Sequence, residues 1–278
     1  MSLRVKSLAT GSSGNVILVQ AGETSILVDC GLPTRLIEEY LRRQSIDPAS
    51  LAAIFLTHEH SDHIQSAGVM ARRYNIPIIA NKRTLEEGEV ALGGSTPSQE
   101  LATGSSRTIG EMDIASFPIP HDAAEPVGYL ITHQKWSACI ILDAGKPSYE
   151  MRAPLRQADL MVIEANHERE RLINGPYTRI LKARILSEIG HLSNVEAAQL
   201  LAETAGDRHK WAWLAHLSEV NNTPRIAMRT VSHYLQREGV RSIDLSISRR
   251  DKPSAYWDSD SAVWQEPLFD IEPGMNVS

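Results

Sequence analysis

The sequence predicts an α/β sandwich built on two mixed β-sheets. Three observations carry this expectation. The first thirty residues are apolar, β-branched runs broken by tight turns; strand-like runs return between residues 112 and 142; and helices alternate with strands from residue 149 onward. Meandering strands followed by βα units make mixed sheets with helices laid on them. The 278 residues suit one large domain or two small ones. No linker divides them, so a single domain is expected over 1–278, with 254–278 as an extended acidic C-terminal tail.

Residues 3–10, 15–20 and 24–31 read as strands, the first two joined by Gly11-Ser12-Ser13-Gly14. That glycine turn, with Asn15, is either a plain connection or a set of backbone N–H groups for a phosphate. Residues 33–45 carry Leu36, Ile37, Tyr40 and Leu41 at helical spacing behind Pro33 and Thr34. Residues 52–57 read as a buried strand, 63–74 as a helix and 77–80 as a short strand. The middle returns to strands at 112–117, 127–132 and 138–142. Helices at 149–157, 178–189, 194–205 and 224–238 then alternate with strands at 160–164, 211–215 and 242–248.

Composition narrows the class. Hydrophobic content of 42% and charged content of 22% are those of an ordinary globular protein. Cys30 and Cys139 form at most one bridge, which excludes a disulfide scaffold. No apolar run approaches the roughly 20 residues that span a membrane, and no secretory leader is visible. A cytoplasmic protein is expected. The net charge of −6 is unevenly spread: residues 254–278 hold five acids and no Lys or Arg, which leaves −1 for residues 1–253. Residues 165–185 are locally +3, with Arg169, Arg171, Arg179, Lys182 and Arg184 against Glu168 and Glu170. A phosphate-bearing substrate is therefore not excluded by charge.

The chemistry concentrates in Leu56-Thr57-His58-Glu59-His60-Ser61-Asp62-His63, which ends an apolar strand and opens a helix. Residues i and i+2 at a strand end point the same way, so His58 and His60 can converge. Asp62 and His63 lie on the turn and can face a second point nearby. Imidazole and carboxylate are ligands that Zn²⁺, Mn²⁺ or Fe accept. His121, Asp143 and His216 each stand where another apolar run stops, at the sheet edges where loops build sites.

HEHSDH matches the HxHxDH signature of the metallo-β-lactamase fold hydrolases, and the resemblance covers almost the whole chain. It implies a four-layer αββα sandwich. It also implies two divalent metal ions, Zn²⁺ or Mn²⁺. His58, His60 and His121 would hold one, Asp62, His63 and His216 the other, with Asp143 between them. Asp29 in ILVDCG resembles the aspartate that props the histidine loop. Asp62 is counted with the catalytic residues as well as the ligands. LTHEHSDH, EANHE, NGPY, GHLSN and HLSEVNN together resemble the YycJ/WalJ-type phosphodiesterases. In that branch a Glu–His pair, here Glu164 and His191, assists proton transfer to the leaving oxygen.

That resemblance implies a nuclease, a 5′-directed exonuclease on DNA rather than RNA, with a metal-bridging hydroxide as nucleophile. Arg179, Lys182 and Arg184 are candidates for flanking phosphates. Asn221 and Asn222 either line the site or enter the next helix. Only 21 positions separate Asp143 from Glu164, and 22 separate His121 from Asp143. Neither interval holds the large insertions of the mRNA-processing or tRNA-gripping relatives. The alternative is a hydrolase of a small molecule, such as a cyclic phosphodiester, a thioester or a lactone. A non-catalytic module would show a broken ligand set, and all seven positions are filled. The oligomeric state is left open, a homodimer included.

Overall fold

The computed structural model describes residues 2–261. The first half of the chain gives β1 (Leu3–Ala9), β2 (Val16–Ala21), β3 (Thr24–Val28), α1 (Thr34–Arg43) and β4 (Leu51–Phe55). It continues through α2 (Ser61–Ile64), α3 (Ala67–Tyr74), β5 (Ile78–Ala80), α4 (Lys82–Glu87), α5 (Glu89–Leu92) and β6 (Ser98–Glu100). The second half opens with β7 (Ser106–Ile109), β8 (Met112–Pro118), β9 (Val127–His133) and β10 (Trp136–Ile141). Then come α6 (Tyr149–Gln157), β11 (Leu160–Glu164), α7 (Arg169–Asn174), α8 (Arg179–Ile185), α9 (Asn194–Thr204) and β12 (Lys210–Ala215). Last are α10 (Pro224–Arg237), β13 (Ile243–Ile247) and β14 (Tyr256–Asp258).

Two seven-stranded sheets result, ordered β14-β1-β2-β3-β4-β5-β6 and β13-β12-β11-β10-β9-β8-β7. Each is mixed in the same way. Pairings from β14 to β3 are antiparallel and those from β3 to β6 parallel. Pairings from β7 to β10 are antiparallel and those from β10 to β13 parallel.

Period-2 alternation sorts the side chains into layers. On β2, Ile17 and Val19 enter the core between the sheets, where they join Phe55, Tyr129, Ile140 and Trp213. Val16 and Leu18 face the other way, toward Ile37, Leu41 and Met70 of α1 and α3. The second sheet does the same with Ile141 and Ile163, which pack under Leu155, Leu201 and Val231 of α6, α9 and α10. This is the four-layer αββα sandwich that the sequence predicts. No helix among the described residues is long and apolar enough to cross a membrane.

Three segments depart from expectation. The helix expected over 63–74 breaks into α2 and α3, because Ser66 turns to bind the loop beside it. Its N–H donates to Cys30 O at 2.9 Å and its hydroxyl to Leu32 O at 2.6 Å. The helix expected over 178–189 stops at Ile185. There Gly190 lies so close that a Cβ on it would meet the carbonyl oxygens of Ile185 and Arg184 at 2.2 and 2.3 Å. The segment from residue 254, expected as a tail, first adds β14 to the edge of β1. Trp257 there is fully buried against Trp136 and Trp211. The remainder of that expected tail, 262–278, lies outside the described residues.

The two sheets are tied together where the site forms. Tyr129 on β9 donates its hydroxyl to Leu56 O at 2.6 Å, and Val127 N–H donates to Thr57 O at 3.0 Å. These bonds fix the end of β4, and with it the histidine loop, against the second sheet.

Candidate metal centre

Parallel strands all end on one edge of their sheets, so the loops after β3, β4, β10, β11 and β12 gather there. Asp29, Asp143 and His216 follow three of these strands with left-handed backbones, at φ of 60°, 56° and 51°. Non-glycine residues rarely adopt that region, and here it turns each side chain off the strand line. The Asp29 turn needs the glycine that follows. A Cβ on Gly31 would lie 1.7 Å from Asp62 O, so the histidine loop can sit down only on a bare backbone.

Three groups of ligand atoms result, each within 4.8 Å of one another: His58, His60, His121 and Asp143; Asp62, His63, Asp143 and His216; Asp143, Glu164, His191 and His216. Asp143 belongs to all three. His58 Nε2 and His216 Nε2 are buried without a hydrogen-bond partner among the described residues. Buried ring nitrogens left unpaired are costly, and both belong to these clusters. The donor set, imidazoles and carboxylates meeting at a shared carboxylate, fits divalent metal binding.

The far nitrogens are held in place, as ligating imidazoles require. His63 Nδ1–H donates to Asp29 Oδ2 at 2.7 Å. Asp29 also accepts the Thr57 N–H at 2.8 Å and the Thr57 hydroxyl at 2.9 Å. The Thr57 oxygen lies 3.0 Å from His58 Nδ1. His121 Nδ1–H donates to Gly190 O at 2.9 Å, which leaves Nε2 for the cluster. Asn15, read from sequence as part of a turn, is fully buried; its amide donates to Asp62 Oδ2 at 3.3 Å and its nitrogen lies 3.0 Å from His63 Nε2. An asparagine in a glycine turn carries no sequence signal that separates this duty from turn formation.

The electrostatics are those of a crowded site. Burial opposes charge on Asp143, but the imidazoles of His216 and His63 outweigh it and hold the carboxyl well below the usual range. Burial lowers His58, and the neighbouring His63 pushes it further down. Burial acts against His63 as well, yet Asp29, Asp143 and Asp62 together raise it well above its ordinary value. Glu164 is fully buried, which by itself raises it; the charge and hydrogen bond of His191 bring it down to about 2.

Glu164 and His191 meet as the sequence expects, with His191 Nδ1–H donating to Glu164 Oε1 at 2.8 Å. Glu164 also accepts His216 Nδ1–H at 2.9 Å and Ala144 N–H at 2.8 Å. The shared cavity is about 200 Å³. It is lined by His60, Asp62, Asp143, His191 and His216 together with Tyr177, Leu181, Arg184 and Ile185.

Of the candidate phosphate ligands, only Arg184 lines that cavity, and it is ion-paired with Asp122. Arg179 is exposed on α8 away from it, and Lys182 donates to Ile173 O at 2.7 Å. Asn221 and Asn222 are buried behind the site rather than in it. Asn222 donates to Ala165 O at 2.8 Å, Asn166 O at 3.1 Å and Asn194 Oδ1 at 2.8 Å, and so ties the β11 loop to α9.

Comparison with known proteins agrees with this geometry. A family model described as a Beta-lactamase superfamily domain matches residues 24–216. The chain is 36% identical over 241 residues to exodeoxyribonuclease YycJ of Bacillus anthracis, covering 86% of this chain and 91% of that one. It is 40% identical over 232 residues to exodeoxyribonuclease WalJ of Streptococcus pneumoniae, covering 82% of this chain and 86% of that one. The crystal structure of the metallo-beta-lactamase fold protein YhfI from Bacillus subtilis aligns with a TM-score of 0.71 at 18% identity, over 93% of this chain and 99% of that one. At that identity the likeness speaks for the fold. The chain belongs to the beta-lactamase superfamily, beside YycJ and WalJ, and is a metal-dependent hydrolase.

Proposed function

We propose that the protein is a DNA exonuclease that works from the 5′ end in the cytoplasm, with two divalent ions, Zn²⁺ or Mn²⁺, in the overlapping clusters. The observation that carries this reading is the position of Asp143 in all three groups of ligand atoms. DNA as substrate is supported by the names of the two relatives, and 5′ polarity by the likeness to their branch. His58, His60 and His121 would hold one ion; Asp62, His63 and His216 the other; Asp143 both. Bound there, the ions supply an acidified water and neutralise charge on the phosphate oxygens.

The chain's own residues do the rest. Asp29 and Thr57 hold the ligating imidazoles in one tautomer and one orientation. His191 faces the cavity and is oriented by Glu164, so it is the proton donor for the leaving oxygen. Glu164 takes no part in ligation on this reading; its oxygens are occupied by His191, His216 and Ala144 N–H.

A second reading, hydrolysis of a small ester or cyclic phosphodiester, is favoured by the cavity itself. At about 200 Å³ it is compact, and a small substrate would fill it without a polymer channel. The same volume admits one chain end. The test is turnover of 5′-phosphorylated DNA, matching RNA, bis(p-nitrophenyl) phosphate and a thioester, each with Zn²⁺ or Mn²⁺. Mononucleotide release from the 5′ end of DNA is expected. Turnover confined to the two small esters would reverse the order of the readings.

A further inference from the structure

The histidines and carboxylates that line the cavity account for the proposed hydrolysis. The residues of α8 and its entry that also line it do not. Leu181 and Ile185, four residues apart, lie on one face of α8, and Tyr177 stands just ahead of its cap Thr178. All three line the cavity. None can ligate a metal as the clusters do, and the Tyr177 hydroxyl takes no part in the hydrogen bonds among the described residues that hold the centre.

The turn that carries Tyr177 is rigid. A Cβ on Gly175 would stand 2.6 Å from Arg171 O and 2.8 Å from Asn221 Oδ1, so this turn is pressed down onto the buried Asn221. Pro176 fixes its own φ. Thr178 then caps α8, accepting Leu181 N–H at 3.3 Å. The Asn174-Gly175-Pro176-Tyr177 motif thus holds Tyr177, half-buried, in the lining of the same cavity as Asp143. An aromatic face beside a phosphate-hydrolysing centre suits the one part of a nucleotide that every sequence offers, a flat base.

We propose that Tyr177, backed by Leu181 and Ile185, is a stacking platform for the nucleobase next to the scissile phosphate. This rests on the nuclease reading above. It assigns substrate binding to the apolar wall of α8 rather than to its basic residues. Stacking of this kind is sequence-tolerant, so one ring serves all four bases.

The test compares three DNA oligonucleotides with the metal-loaded enzyme: one ordinary, one with an abasic first nucleotide and one with an abasic second nucleotide. Wild type should show a KM lower by roughly 5- to 100-fold for the ordinary strand than for one of the abasic strands. In Tyr177→Ala that ratio should collapse toward one, and in Tyr177→Phe it should be kept. Each ratio is taken within one variant, so partial unfolding of a preparation cancels. An undiminished ratio in Tyr177→Ala, or no base preference in wild type, overturns the platform while leaving the nuclease reading intact. Absence of wild-type turnover on every oligonucleotide, with bis(p-nitrophenyl) phosphate cleaved, overturns the nuclease reading and the platform with it.

Discussion

The turn after β3 and the turn after β10 have the same build and different uses. Asp29-Cys30-Gly31 and Asp143-Ala144-Gly145 both leave the first parallel-paired strand of their sheet. Each aspartate has a positive φ, each middle residue is fully buried, and each glycine is pressed by the backbone of a later loop. A Cβ on Gly145 would lie 2.4 Å from Glu188 O, as one on Gly31 would from Asp62 O at 1.7 Å. Yet Asp29 spends both oxygens on Thr57 and His63, whereas Asp143 lies in all three groups of ligand atoms. The loop after β4 carries four candidate imidazole or carboxylate ligands and needs a prop; the strand ends of the second sheet carry single candidates and need a meeting point. One backbone device serves as scaffold in one sheet and as centre in the other.

Replacing each of the two carboxylates by an amide would break the comparison most sharply. In Asp143→Asn, kcat should fall by about 10³-fold, ~4 kcal/mol of barrier, and bound metal should drop with it. In Asp29→Asn, metal affinity should weaken by about 10- to 100-fold with turnover restored by excess metal, as expected of an outer partner. Metal titration and steady-state kinetics on both variants separate the roles; equal, metal-insensitive losses would make the two turns equivalent.

The glycines come next. Gly31→Ala should destabilise by about 3 kcal/mol or more, and Gly145→Ala by about 1–3 kcal/mol, since the first clash is the tighter and both are with backbone. Urea midpoints measure both, and a smaller loss at Gly31 would count against the docking of the histidine loop described above. The smallest effect belongs to Thr57→Val, which removes a hydroxyl found only on the Asp29 side. About 1–2 kcal/mol of stability should go, together with the order of His58 and His63. Imidazole NMR line shapes of the metal-free protein would register the latter.

Most of the candidate centre was legible because its candidate ligands stand at the ends of apolar strands, where the hydrophobic pattern announces a position and the residue type a chemistry. His58 through His63, His121, Asp143 and His216 all have that signature. Asn15 does not, since an asparagine beside two glycines looks like any turn. The basic residues misled for a related reason. Arg179 and Lys182 advertise a phosphate by charge, but charge does not say which face of α8 meets the cavity, and neither residue lines it. The stretch from Asn81 to Ile109 was unread because its pieces are short and exposed; all of β6 faces solvent. β14 was hidden by the acids and prolines around it, with Trp257 as the one residue that asks for a core.

That last strand has a consequence in time. β14 closes the edge of β1, yet the two are separated along the chain by roughly 250 residues, some 12–50 s of synthesis at ~5–20 residues per second. Throughout that interval β1 carries an unpaired edge, and the space between Trp136 and Trp211 lacks its third indole. A chain halted on the ribosome just before Pro253 would hold every candidate ligand and still present an open β-edge to its neighbours. The nascent protein is therefore most exposed to mispairing late, after its metal centre has been written and before its first strand is latched.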